Sequence, residues 1–266
     1  MALAKADPLA LQRKLVLGLL LSLAAAAWVL LIWQSAPGDM AMMSPTMGLR
    51  APLFLSIWVV MMVAMMFPTA SPMILAFHQI QSAKRGRGDA FVGTWVFVAA
   101  YLVVWVLSGI AAYLGALAAE TAAVEAALSP AAAARIGGAV LIAAGLYQLT
   151  PLKDLCLAKC RTPVSFIMTS WRDGTAGALC MGLAHGGYCL GCCWLLFVML
   201  FPLGIMNIAA MAVVTLLIFA EKTLPWSRAI ARGTAVVLVV YGAGVVVAPQ
   251  LLPTFSSADM PAGMEM

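Results

Sequence analysis

Apolar residues fall in long blocks along this chain, over roughly residues 15–34, 53–77, 91–117, 133–150, 176–201, 203–220 and 230–250. Each block reaches the about 17 to 25 residues that a helix needs to cross a bilayer. The pattern predicts an all-α fold: a polytopic transmembrane helical bundle of about seven spans over 15–250. A cytoplasmic tail over 1–14 precedes it, and a Met-rich external tail over 251–266 follows. Between the fifth and sixth blocks only Phe201-Pro202-Leu203-Gly204 interrupts the apolar run, so the separation of those spans rests on proline and glycine. The alanine-rich external loop near Glu120 to Ala134 reads as a helical extension.

Composition agrees with the pattern. The 266 residues are 64% hydrophobic and 9% charged, whereas about a quarter of the residues of a soluble domain are charged. Seven crossings with the N-terminus in the cytoplasm place thirteen of the fifteen Lys and Arg residues inside and only Arg50 and Arg135 outside. That partition follows the positive-inside rule and predicts an external C-terminus. The net charge of +5 then sits in short cytoplasmic loops beside anionic lipid, and nucleic acid is not a partner. Leu15 to Trp33 exceeds the about 7 to 15 apolar residues of a cleaved signal peptide, so the first block reads as a retained span.

The candidate chemistry lies inside the fifth block. On a continuous helix Met181, His185, Cys189, Cys192 and Cys193 fall at i, i+4, i+8, i+11 and i+12, a stripe of thioether, imidazole and thiols. Cys192 and Cys193 point about 100° apart. Gly186, Gly187 and Gly191 either let another helix approach closely or unwind the segment so that the thiols converge. In the second block Met61/Met65 and Met62/Met66 form i, i+4 thioether pairs, and Pro68 and Pro72 predict a kink or break below them, with a cavity near Met66. Both features centre near the bilayer midplane. Met62, Met66, His185, Cys189, Cys192 and Cys193 are therefore expected to form a soft-metal site, with Cu(I) favoured and zinc next.

Cys156 and Cys160 lie at i, i+4 in the loop before the fifth block. Lys153, Lys159 and Arg161 beside them are expected to lower their thiol pKa values and suit them to metal capture or thiol exchange. Met40, Met42, Met43 and Met47, with Met260, Met264 and Met266 at the terminus, are expected to collect copper outside the membrane. Tyr147, Gln148, Asn207 and the Glu221-Lys222 pair read as structural, the last as a charge pair at the inner surface. His78 reads as an interfacial histidine, and bis-histidine haem binding is disfavoured by its depth.

Several motifs occur together: Met65-Met66-Phe67-Pro68, Tyr147-Gln148-Leu149-Thr150-Pro151-Leu152-Lys153, Cys156-Leu157-Ala158-Lys159-Cys160-Arg161, Gly182 to Trp194, Gly204-Ile205-Met206-Asn207 and Glu221-Lys222. Over roughly residues 55 to 250 the chain resembles the bacterial family described as predicted metal-binding integral membrane proteins. The resemblance implies a bacterial inner membrane and a bound metal. The leading expectation is a protein that binds Cu(I) for handling, transport or delivery, with the lipid bilayer, the metal ion and a metal chaperone or respiratory-complex protein as partners. No catalytic residues are assigned, and no P-loop or phosphorylated-aspartate motif is visible. The rival expectations are a thiol-disulfide oxidoreductase using Cys189, Cys192 and Cys193, and an assembly subunit of a metal-containing membrane complex.

Overall fold

The computed structural model describes residues 8–35 and 45–254, and those residues are all-helical. In chain order the helices are α1 (Pro8–Gln34), α2 (Ala51–Gly86), α3 (Thr94–Glu125), α4 (Pro130–Tyr147), α5 (Pro151–Arg161), α6 (Pro163–Ser170), α7 (Gly174–Val198), α8 (Leu200–Leu203), α9 (Ile208–Thr223) and α10 (Ser227–Val247), followed by a 3-10 turn at Pro249–Leu251. Six of them are long and apolar enough to cross a membrane: α1, α2, α3, α4, α7 and α10. The expected span over 203–220 corresponds to α9, whose 16 residues extend about 24 Å at about 1.5 Å per residue, short of a bilayer core of about 30 Å.

The separation of α7 from α9 falls where proline and glycine predict it. Gly204 takes φ +91, a left-handed conformation that side chains resist, and Asn207 then caps α9 by accepting from the Ala210 N–H at 3.1 Å. At α4, Ser129 accepts from the Ala132 N–H at 3.2 Å, and Pro130 fills the first turn, where a missing N–H goes unnoticed. The alanine-rich stretch is helical only in part: α3 runs on to Glu125, a turn follows at residues 126–127, and α4 begins at Pro130.

The chain divides into two compact units. The first comprises Met1–Gln34, Ser56–Gly109 and Asp154–Cys192, and the second Ser35–Leu55, Ile110–Lys153 and Cys193–Met266.

Within the first unit, α2 continues through Pro68 and Pro72 as one helix, so of the expected kink or break the break does not occur. Each proline deprives the carbonyl four residues earlier of its N–H donor. Trp28 Nε1–H donates to the Ala64 carbonyl at 3.2 Å, and the Ser71 hydroxyl donates to the Pro68 carbonyl at 2.9 Å, so both abandoned acceptors are served. The tryptophan of α1 thus replaces a backbone donor of α2. α7 lies close to α3 because it presents glycine there. A Cβ on Gly182 would meet the Phe97 carbonyl oxygen at 2.4 Å, and one on Gly186 would meet Val104 Cγ2 at 2.7 Å. Close approach is therefore the role of Gly186, and α7 stays wound through Gly186, Gly187 and Gly191.

Within the second unit, Glu120 near the end of α3 accepts from the Thr46 N–H at 2.8 Å and from the Thr46 hydroxyl. That contact fixes the last residues of the Met-rich segment, where Met47 is buried at φ +56. Met40, Met42, Met43, Met260, Met264 and Met266 lie outside the described residues. The Lys153 ammonium is fully buried, 2.7 Å from Glu221 Oε2, and it also donates to Gln148 Oε1. Gln148 Nε2 donates to Glu221 Oε1 at 3.1 Å, closing a triad. Glu221 is 2% exposed. The expected position at the inner surface is corrected: Glu221 and Lys222 are both buried, and Glu221 pairs with Lys153, 68 residues away in sequence, because burial demands a paired charge.

Candidate functional site

The soft donors expected to bind metal are concentrated in the first unit. On α2, Met61, Met62, Met65 and Met66 are all fully buried. On α7, Met181, His185, Cys189 and Cys192 are each no more than 2% exposed. Cys193 is also buried but belongs to the second unit, and Cys180 is exposed. One turn of α7 separates successive members of the stripe, and the unbroken helix keeps them in register.

His185 sits in an aromatic enclosure. Its ring stacks on Tyr101 at 5.4 Å and on Phe97 at 6.0 Å, both from α3, and Phe166 of α6 closes the side at 5.8 Å. The Tyr101 hydroxyl lies 3.2 Å from Cys189 Sγ, which ties the thiol one turn further along α7 to the same α3 tyrosine. Cys192 donates its S–H to the Cys189 carbonyl at 3.1 Å. Among the described residues no group of three or more His, Cys, Asp or Glu side chains converges as a metal site made only of such donors would require. The chemistry on offer is thus thioether and thiol, with an imidazole held between aromatic rings.

Cys156 differs from the expectation. Its sulfur lies against α7, so that a Cβ added to Gly191 would come within 2.8 Å of it. α5 lies outside the candidate spans. The Cys156 thiol pKa is raised, first by burial and then by the nearby Cys192 sulfur. The expected lowering by basic neighbours is corrected, since burial outweighs them and the Lys153 ammonium is engaged by Glu221. We expect Cys156 to alkylate more slowly at neutral pH than an ordinary thiol and to speed up only at pH values above the usual thiol range. Mass mapping of iodoacetamide adducts against pH reads this directly, and a midpoint at or below the ordinary value would contradict it. Cys160, one turn further along α5, is half-buried.

His78 lies 3.0 Å from the Thr94 hydroxyl and 3.3 Å from that of Ser82, a satisfied position near the end of α2. Tyr101, Phe97 and Phe166 were not singled out from the sequence. A tyrosine in the middle of an apolar span was the one available signal, because its hydroxyl needs a partner there.

Comparison with curated proteins finds no match, and none is found among solved structures. Residues 55–245 match the family described as PpoB2, copper chaperone, and the chain belongs to that family.

Proposed function

We propose that this protein is a multi-pass protein of the bacterial inner membrane that binds Cu(I) within its first unit and delivers it to a partner. The observation that carries this reading is the gathering of buried soft donors in one unit of a chain from a copper chaperone family: Met62 and Met66 with their neighbours on α2, and Met181, His185, Cys189 and Cys192 on α7. Zinc prefers four nitrogen, sulfur or carboxylate ligands. Thioethers add to the donor set only for a soft ion, so this composition favours Cu(I). Cys193 follows in the second unit, and the reading does not depend on it. The external Met segments collect the ion, and the half-buried thiols of α5 pass it to the receiving partner, a metal chaperone or a respiratory-complex protein.

The same reading keeps the N-terminus in the cytoplasm and the C-terminus outside. It takes α9 as a short seventh span, because only an odd number of crossings places thirteen of the fifteen basic residues on one side. A bilayer thins locally around a short helix at a modest energetic cost.

Metal content of detergent-purified protein, loaded with copper or zinc under reducing conditions, tests the binding claim. We expect about one copper per wild-type chain, and its loss in Cys189→Ser/Cys192→Ser. Metal-free wild-type protein whose thiols cycle between oxidised and reduced forms would replace this reading with the oxidoreductase one.

A further inference from the structure

We propose that Cys156 and Cys192 together form a two-thiol Cu(I) site, through which copper held on α7 passes to α5. The inference rests on the copper reading above. It assigns Cys156 a different partner from Cys160, its neighbour one helical turn away in the sequence.

The geometry begins with Gly191. Any side chain there would occupy the space of the Cys156 sulfur, since a Cβ would lie 2.8 Å from Sγ and 3.6 Å from the cysteine Cβ. Glycine at this position of α7 therefore admits a thiol from another helix beside Cys192. Gly191 and Cys192 are consecutive residues of α7, so a sulfur packed against Gly191 sits at the position next to the Cys192 thiol. Cys192 is already turned along the helix toward Cys189, whose carbonyl accepts its S–H. Accessibility rises along the series: Cys189 and Cys192 are buried, while Cys156 and Cys160 are half-buried. A pair that joins a buried thiol to a half-buried one suits a cargo that must leave the interior. Cu(I) fits such a pair because it accepts soft sulfur donors.

The transfer is a ligand exchange. A bond forms between copper and the Cys156 sulfur as the bond to the Cys189 sulfur breaks, while Cys192 stays bound. One proton leaves Cys156 and one returns to Cys189, and copper remains Cu(I) throughout.

Full-length protein in detergent, titrated with Cu(I) against bicinchoninate under reducing conditions, tests this. We expect Cys156→Ser and Gly191→Ala to weaken Cu(I) binding by at least about tenfold and Cys160→Ser to change it by less than about twofold. The Gly191→Ala variant keeps every thiol and only displaces the Cys156 sulfur. A footprint on wild-type protein needs no variant: copper loading should protect Cys156 from iodoacetamide and leave Cys160 reactive. Wild-type affinity in Cys156→Ser, together with loss in Cys189→Ser/Cys192→Ser, would overturn this site and leave the copper reading standing. Protection of Cys160 would also overturn it. Wild-type protein that takes up no copper would end both.

Discussion

Glu221→Ala should destabilise the protein by about 3–5 kcal/mol, the usual effect of leaving a buried charge without its partner. The Lys153 ammonium is fully buried, and Glu221 supplies the carboxylate 2.7 Å away. Gln148 holds both, accepting from Lys153 and donating to Glu221. With the carboxylate gone, only a neutral amide oxygen remains beside the ammonium. Removing both charges is a different experiment: Lys153→Met/Glu221→Leu leaves no ion to desolvate and should recover most of the loss. Glu221→Gln keeps a hydrogen-bonding group of the same size and should fall between the two. Thermal unfolding midpoints in one detergent, compared across the single and double variants, measure the coupling. A double variant no more stable than Glu221→Ala would show that the triad does not act as a unit. Lys153 also lies in the first turn of α5, the helix that carries Cys156 three residues later, so the same variants report whether the fold around that helix depends on the pair.

The helices were legible because bilayer-length apolar runs leave few alternatives, and the stop at Phe201 to Gly204 was legible because proline and glycine act locally. The soft-donor stripe was legible for the same reason: α7 is one unbroken helix, so spacing alone gives the faces of Met181, His185, Cys189 and Cys192. Pairing between distant elements was not legible. Nothing near Pro68 in sequence announces that Trp28 will serve the Ala64 carbonyl, and Ser71 was the only local clue that α2 would survive its prolines. Likewise Cys156 looks one helical turn along its own helix toward Cys160 in the sequence, whereas Gly191 is the position that receives its sulfur. Lys153, one of the three basic residues expected to activate that thiol, is engaged by a glutamate 68 residues away. The family match reaches the same outcome as the motifs did, a metal-related family, and it names copper. Its range, residues 55–245, leaves out both Met-rich ends.

Gly138→Ala or Gly242→Ala should each destabilise by about 1–3 kcal/mol, whereas Gly233→Ala on the same α10 should stabilise by roughly 0.5–1 kcal/mol. α10 buries Ala231, Ala235, Leu238, Gly242 and Val245, a three-four spacing that makes one continuous seam. α4 answers with Ala134, Gly138, Leu141 and Gly145 at the same spacing. At the crossing the two backbones nearly touch. A Cβ on Gly138 would lie 2.8 Å from the Gly242 carbonyl oxygen, and a Cβ on Gly242 would lie 2.7 Å from that of Gly138. These obstacles are backbone atoms, which cannot rotate away, so the helices must separate and lose packing along the whole seam. In a bilayer that packing is the main force joining helices, because lipid tails are as apolar as the side chains. The loss from the double variant should be smaller than the sum, since one separation relieves both clashes. Gly233 has nothing within 4 Å of its hypothetical Cβ, so alanine there only reduces backbone entropy in the unfolded chain. Opposite shifts in the unfolding midpoint are the expected signature, and equal shifts at positions 138 and 233 would show that α4 and α10 do not meet through glycine.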